Sequence, residues 1–363
     1  MGMYDAIRNL RAQLNACAEL SGHEQGTLAL LQSFLTENTS LSVIPMDGWL
    51  LATHWEGDAC PTYALRADMD ALPGANGPWH GCGHDGHCAI LCRAATMLEG
   101  RELSKNIHFI FQPAEETGEG ARHICDTWSG LGKVARIFGF HNLPGYPMGH
   151  LLTCPGCFAC ASEGLSISVT GSPAHAAYPD RGENPADLVC AAVSCLPKMA
   201  EDILRGDDRL LMATVVGMKI GDENYGLSAA DGKLWLTLRA HRDEDLRLLE
   251  AAIKDYIRVG CRKRNMTCHF EIRDAFPDTV NDPEITRECE DLWRESGRIV
   301  QRLTEPMRWS EDFGWYLKRV PGMYFGIGMG RECADLHTSG YRFDDDVIEP
   351  AAEAILQLLG NGR

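Results

Sequence analysis

The sequence has no long hydrophobic run. Of its 363 residues 45% are hydrophobic and 23% charged, the balance of an ordinary globular protein, and no stretch nears the ~18 consecutive apolar residues of a membrane helix. A membrane-embedded protein is excluded. Positive charge is also scarce: 34 Lys and Arg stand against 51 Asp and Glu, a net charge of −17. Nucleic acid is not expected as a partner, because a polyanion would bind against that field. The first residues scatter Asp5 and Arg8 among apolar side chains, so no secretory leader is expected, and Met-Gly-Met-Tyr-Asp-Ala lacks the hydroxyl residue of a myristoylation site. Internal repeats, low-complexity stretches and long charge runs are absent. Cysteine, by contrast, is plentiful. Fifteen cysteines, an odd number, without an export signal are expected to be reduced thiols in the cytoplasm rather than a disulfide framework.

The length suggests about two domains. Residues 4–37 read as a helical hairpin, with Ile7, Leu10, Leu14, Leu28, Leu31 and Leu35 at helical spacing around the Ser21-Gly22 break. Apolar runs at Thr62–Arg66, Ile107–Phe111, Val134–Phe140 and Met323–Ile327 are strand-like, with helical patterns such as Ala89–Leu98 and Ala351–Leu359 between them. The signature is α/β with a buried sheet. Between about 162 and 272 the strands Leu165–Thr170 and Leu234–Ala240 alternate with solvent, and helices are expected at 185–204 and 243–264. The expected organisation is a first domain over 1–161 and 273–363, interrupted by a smaller α+β domain over 162–272.

Each strand-like run precedes residues of ligand type: Asp68 and Asp70, then Glu115 and Glu116, then His141, then His337. Sites in open α/β sheets form at the carboxyl ends of strands, so these residues are expected to converge. His80-Gly-Cys-Gly-His-Asp-Gly-His87 adds three histidines, a thiol and a carboxylate, a composition suited to a transition metal. Cys82 and His84 could not share a helix face, but the flanking glycines permit a tight loop with both pointing inward. A Gly-rich loop with a buried thiol is the bland alternative. In Gln112-Pro-Ala-Glu-Glu116, adjacent carboxylates can face different targets, one to bind metal and one to act as base. The alternative there is a charged helix start.

Arg66-Ala-Asp-Met-Asp-Ala-Leu-Pro73, the 80–87 cluster, Gln112–Ala121, Gly139-Phe-His-Asn142, Gly171-Ser-Pro-Ala-His-Ala-Ala-Tyr-Pro179, Ser310-Glu-Asp-Phe313 and Leu336-His-Thr338 occur in this order over nearly the whole chain. In this the sequence resembles the M20 metallopeptidases, and within them the branch of hippurate hydrolase, N-acyl-amino-acid amidohydrolases and auxin-conjugate hydrolases. The resemblance implies a zinc-peptidase-like α/β catalytic domain and an inserted lid domain through which subunits pair as a homodimer. It implies that Cys82, His84, Glu116, His141 and His337 bind metal, that Glu115 is the general base and that Asp70 orients the site. Asp68 stands where other branches carry a histidine ligand. His175 resembles the lid histidine that stabilises the oxyanion in the partner's site. Arg239 matches a lid arginine that could pair with a substrate carboxylate, or it forms a surface ion pair. Asn224 stands at a substrate-contacting position, although Asn-Tyr-Gly-Leu-Ser-Ala-Ala-Asp departs from the usual pattern, and the spacer Pro73–His80 is shorter than in relatives.

Five protein ligands exceed the three of a single catalytic zinc site, which keeps a position open for water, so two divalent ions per subunit are expected. Zinc or manganese would serve, as would cobalt or nickel. The expected reaction is hydrolysis of the amide bond of N-acyl amino acids by metal-activated water, with Glu115 moving the proton. The alternatives are an M20-type dipeptidase or aminoacylase, and a catalytically silent binding protein of the same fold. Cys154-x-x-Cys157-x-x-Cys160 has spacing that invites an iron–sulfur or zinc reading, but small buried thiols are expected here.

Overall fold

The computed structural model describes residues 2–360. Two compact units share the chain: Met1–Phe158, Thr279–Pro306 and Asp312–Arg363 make the first, Ala159–Asp278 and Met307–Glu311 the second. The range 162–272 leaves out the return segment Met307–Glu311, which no local pattern marks as part of the second unit.

The first unit opens with α1 (Met3–Ala16) and α2 (Gln25–Asn38), whose Ile7, Leu10, Leu14, Leu31 and Leu35 are buried at helical spacing. It continues through β1 (Ser42–Pro45), β2 (Leu50–His54), β3 (Thr62–Asp68), α3 (His84–Met97), β4 (Asn106–Gln112), α4 (Gly120–Thr127), β5 (Val134–Leu143), β6 (Leu151–Thr153) and β7 (Gly156–Ala159). The second unit supplies β8 (Ala161–Thr170), α5 (Ala186–Leu204), β9 (Leu211–Ile220), β10 (Asp231–Ala240), α6 (Asp243–Lys263) and β11 (Thr267–Phe276). The first resumes with β12 (Thr279–Asn281), α7 (Pro283–Glu295), β13 (Val300–Arg302), α8 (Gly314–Leu317), β14 (Gly322–Gly328) and α9 (Ile348–Leu359).

The large sheet runs β1-β2-β4-β3-β5-β14-β6-β13. Its centre, β4, β3, β5 and β14, is parallel, so the carboxyl ends of these strands line one edge, with Asp68 beside Gln112 and His141 beside Gly326. These strands read as continuous apolar runs because they are covered on both faces; all seven residues of β14 are buried. Helix α3 begins at His84, five residues before the Ala89 expected from periodicity, and packs against β3 and α9.

The second unit is an antiparallel sheet, β11-β8-β10-β9, with α5 and α6 against one face. Its core joins Leu165, Ile167, Val169, Leu234, Leu236 and Leu238 to Leu188, Leu249 and Ile253. The edge strand β9 leaves Val215, Val216 and Met218 exposed, Val216 by 66%.

Candidate metal centre

Four of the residues predicted to bind metal sit where a strand of the parallel centre ends or a helix begins. Cys82 and His84 flank the entry to α3, Glu116 follows β4, and His141 lies near the end of β5, while His337 is in the loop after β14. The Cys82 Sγ is 3.3 Å from His141 Nε2 and 3.3 Å from His337 Nε2. Glu116 Oε1 is 3.7 Å from His337 Nε2 and 3.9 Å from His84 Nε2. All five donors converge. Two donors on one tetrahedral ion, each 2.0 to 2.3 Å from it, stand about 3.3 to 3.8 Å apart. His84 Nε2 and Glu116 Oε1 are buried with no hydrogen-bond partner, a condition that few buried polar atoms tolerate unless something else satisfies them. Sulfur, imidazole and carboxylate donors around these two atoms fit divalent transition-metal ions.

Gly83 explains how Cys82 and His84 both turn inward. Its φ is +93°, and a Cβ there would meet Tyr341 Oη at 2.4 Å and Asn142 Oδ1 at 2.6 Å, so glycine is required for both conformation and space. His337 has a φ of +62°, backbone strain of the kind that collects at functional sites.

The electrostatics point the same way. Burial, and after it Glu116, pushes the Cys82 thiol well above its usual value. Burial, with Asp70 and Asp68 adding to it, raises Glu116 to about 7. Burial works against charge on His84, yet Asp68, with the hydrogen bond to Asp70, holds its pKa well above normal. The protein alone thus resists negative charge on two of its donors, and a dication reverses that preference.

Beneath the donors lies a buried hydrogen-bond network. His84 Nδ1 is 2.9 Å from the Asp70 carbonyl and 3.2 Å from its Oδ1, which leaves Nε2 directed at the cluster. His141 Nδ1 lies 2.8 Å from the Asn142 carbonyl. His87, indistinguishable from His84 by composition, has both nitrogens engaged at 2.5 Å, by Asp68 Oδ1 and Asn142 Oδ1. Arg66, fully buried, donates to Asp68 at 2.6 Å, Asp312 at 2.7 Å and Gln112 at 2.8 Å. Against the upward push of burial, His84, His87 and Arg66 hold Asp68 well below the usual carboxylate range.

Glu115 is buried beside Glu116 and near His84. The turn that carries both carboxylates begins at Ala114, with a φ of +52°, a conformation that costs an alanine roughly 1 to 2 kcal/mol. The Ala114 amide donates to Glu24 Oε1 at 2.8 Å. Sequence reasoning missed Glu24; the Ser21-Gly22 break was the only local signal near it. The short spacer after Pro73 is closed by Leu72 and Trp79, which exchange two backbone hydrogen bonds of 3.0 Å.

His175, Asn224 and Arg239 belong to the second unit. His175 is exposed, and its Nδ1 accepts from the Ala177 amide at 3.1 Å, so the neutral ring carries its proton on Nε2, ready to donate. Its loop is tied to the Asn224 region: Ala174 donates to Ser228 Oγ and Ser228 to the Ala174 carbonyl, both at 2.9 Å. Asn224 Oδ1 accepts from the Gly226 amide at 3.1 Å and is engaged within its own loop. Arg239 donates to the Arg308 carbonyl at 2.9 Å and Ser310 Oγ at 3.0 Å. All fifteen cysteines are free. Among the described residues, Cys154, Cys157 and Cys160 join no group of three ligand-type side chains within 4.8 Å.

The model of peptidase family M20/M25/M40 matches residues 64–361. The chain belongs to this family. Thermostable carboxypeptidase 2 of Saccharolobus solfataricus is 30% identical over 380 residues, covering 96% of this chain and 93% of that one. A hydrolase of Staphylococcus aureus is 26% identical over 382 residues, 99% of either chain. The crystal structure of a dinuclear metal-binding M20 peptidase from Bacillus subtilis superposes with a TM-score of 0.83 at 22% identity, over 98% of this chain and 97% of that one. This M20 chain is therefore a hydrolase of amide or peptide bonds, with the family's α/β catalytic domain and inserted smaller domain. Among the described residues no helix is long and apolar enough to cross a membrane.

Proposed function

We propose that this M20 hydrolase is a cytoplasmic, metal-dependent amidohydrolase that cleaves the amide bond of N-acyl amino acids of acetyl, benzoyl or aryl-acyl type. The observation that carries the metal dependence is the pair of buried, partnerless atoms His84 Nε2 and Glu116 Oε1 facing the Cys82 thiol. Cys82, His84, Glu116, His141 and His337 would hold two divalent ions, zinc or manganese, with cobalt or nickel as substitutes. Support for two comes from five donors where one catalytic zinc uses three, and from the Bacillus subtilis neighbour, described as dinuclear. Bound there, the ions would supply Lewis-acid activation of water and of the scissile carbonyl.

The chain's own groups divide the remaining work. Glu115 takes the proton of the attacking water and returns it to the leaving amine. Asp70 fixes the His84 ring. The Nε2 proton of His175 is a donor for the developing oxyanion, Arg239 takes the substrate carboxylate, and Asn224 contributes a polar contact. The exposed apolar edge of β9 supports pairing of two lids in a homodimer.

A second reading, cleavage of a carboxy-terminal residue from peptides, is favoured by the name of the 30% identical Saccharolobus relative. The test is to count metal ions per subunit and to assay acetyl, benzoyl and indole-acyl amino acids beside short peptides. Faster turnover of acylated amino acids supports the proposal; turnover of peptides alone replaces it with the second reading. Full metal without turnover of either leaves a binding protein.

A further inference from the structure

The turn between α1 and α2 touches the centre at three points. Ser21 Oγ donates to Asp70 Oδ2 at 2.7 Å. The Ala71 amide donates to the Glu19 carbonyl at 2.8 Å. Glu24, 3% exposed, takes the Ala114 amide at 2.8 Å. Glu24 sits at the N-cap position of α2, yet its side chain caps nothing there. The first amides of that helix are held by Glu19 instead, Gly26 at 3.0 Å and Thr27 at 2.8 Å. A buried carboxylate has thus been diverted from the helix it begins to a residue 90 positions away.

That residue is the left-handed Ala114. Its carbonyl accepts from the Gly120 amide at 3.1 Å and the Thr117 hydroxyl at 3.3 Å, so Glu24 completes a grip on both sides of the residue. Asp70, held by Ser21, takes the next amide but one, Glu116, at 3.0 Å. An alanine stays in this conformation only when its surroundings over-determine it.

We propose that Glu24, assisted by Ser21, is a positioning residue: it clamps Ala114 in the left-handed conformation and so sets the directions in which Glu115 and Glu116 leave the chain. The proposal rests on the metal-centre reading above. Its signature is conformational, because glycine adopts positive φ without the alanine penalty and should make the clamp dispensable.

Four variants test it: Glu24→Ala, Glu24→Gln, Ala114→Gly and the double variant Glu24→Ala/Ala114→Gly. Each is measured for zinc affinity of the metal-stripped protein by calorimetric titration, for kcat and KM on the best substrate, and for melting temperature. Glu24→Gln keeps an oxygen for the Ala114 amide and should stay near wild type. Glu24→Ala should lower both kcat and zinc affinity by about tenfold or more with KM little changed, on the scale of a lost positioning contact. The double variant should regain most of both. A double variant no better than Glu24→Ala, or a Glu24→Ala without either loss, overturns the clamp. If Glu24→Ala does not fold, Ser21→Ala takes its place: a several-fold loss of zinc affinity supports the brace and an unchanged affinity overturns it. Wild-type protein that takes up none of zinc, manganese, cobalt or nickel would sink the metal-centre reading alone, and the kcat pattern would still decide the clamp.

Discussion

The sheets of the two units fill their interiors with different chemistry. In the first, charged groups are sealed inside: Arg66, Asp68, His84, His87 and Asp312 are all fully buried and satisfied mainly by one another. In the second, the space between sheet and helices is largely aliphatic, and Glu163 is a carboxylate that intrudes, buried with an unpartnered oxygen. The second unit instead leaves apolar residues uncovered along β9. The first interior is built to hold reactive groups in place at a cost in desolvation. The second is built as a plain core with an exposed apolar edge.

Removing the central charge of the first interior is the strongest way to break this contrast. Arg66→Met leaves Asp68 and Asp312 buried without their cation, and urea denaturation should show a loss of about 3 to 5 kcal/mol. A loss below about 1 kcal/mol would mean that the first interior is no more exacting than the second. Next comes Glu115→Gln, which should cut kcat on the order of 10²-fold or more while metal content stays at the wild-type level. Metal lost from that variant but kept by Glu116→Gln would reverse the two roles.

Glu163 tests the second interior. Burial, and after it Glu250, raises its carboxyl from 4.5 to about 7, so between those values the folded chain binds more protons than the unfolded one. Stability from this group is full below pH 4.5 and is lost as pH rises through 7. Glu163→Gln should therefore stabilise by on the order of 1 kcal/mol at pH 8 and by much less at pH 5. Equal gains at both pH values would show that charge is not the cause. The smallest effect on stability is expected from Val216→Lys on the β9 edge: within about 0.5 kcal/mol in the melt, yet with dimers giving way to monomers in sedimentation. Unchanged association would remove that edge from the interface.

The legible parts of this molecule were those with local causes. β3, β4, β5 and β14 show as apolar runs because both their faces are buried, and the residues of ligand type follow them because strand ends share one edge. β9 and β11 are not legible in the sequence: β9 carries exposed Val215, Val216 and Met218, which blurs the alternation of a half-buried strand. Composition alone does not separate His87 from His84; the structure does, because Asp68 and Asn142 occupy both nitrogens of His87. Glu24 and Ala114 could not be paired from sequence, since nothing in Pro-Ala-Glu-Glu announces a positive φ and their hydrogen bond spans 90 positions.

The return segment Met307–Glu311 bears on the order in which the nascent chain can complete itself. Translation finishes Ala159–Asp278 well before Met307, and until then the Cys160 amide lacks the carbonyls of Met307 and Trp309, and Arg239 lacks Arg308 and Ser310. At 5 to 20 residues per second that delay is roughly 1.5 to 6 s. The inserted unit therefore waits on the ribosome with one margin open, and the first unit, whose α9 is made last, waits longer still. The second unit is not finished until most of the first has been synthesised, and the first is not finished until the second is complete.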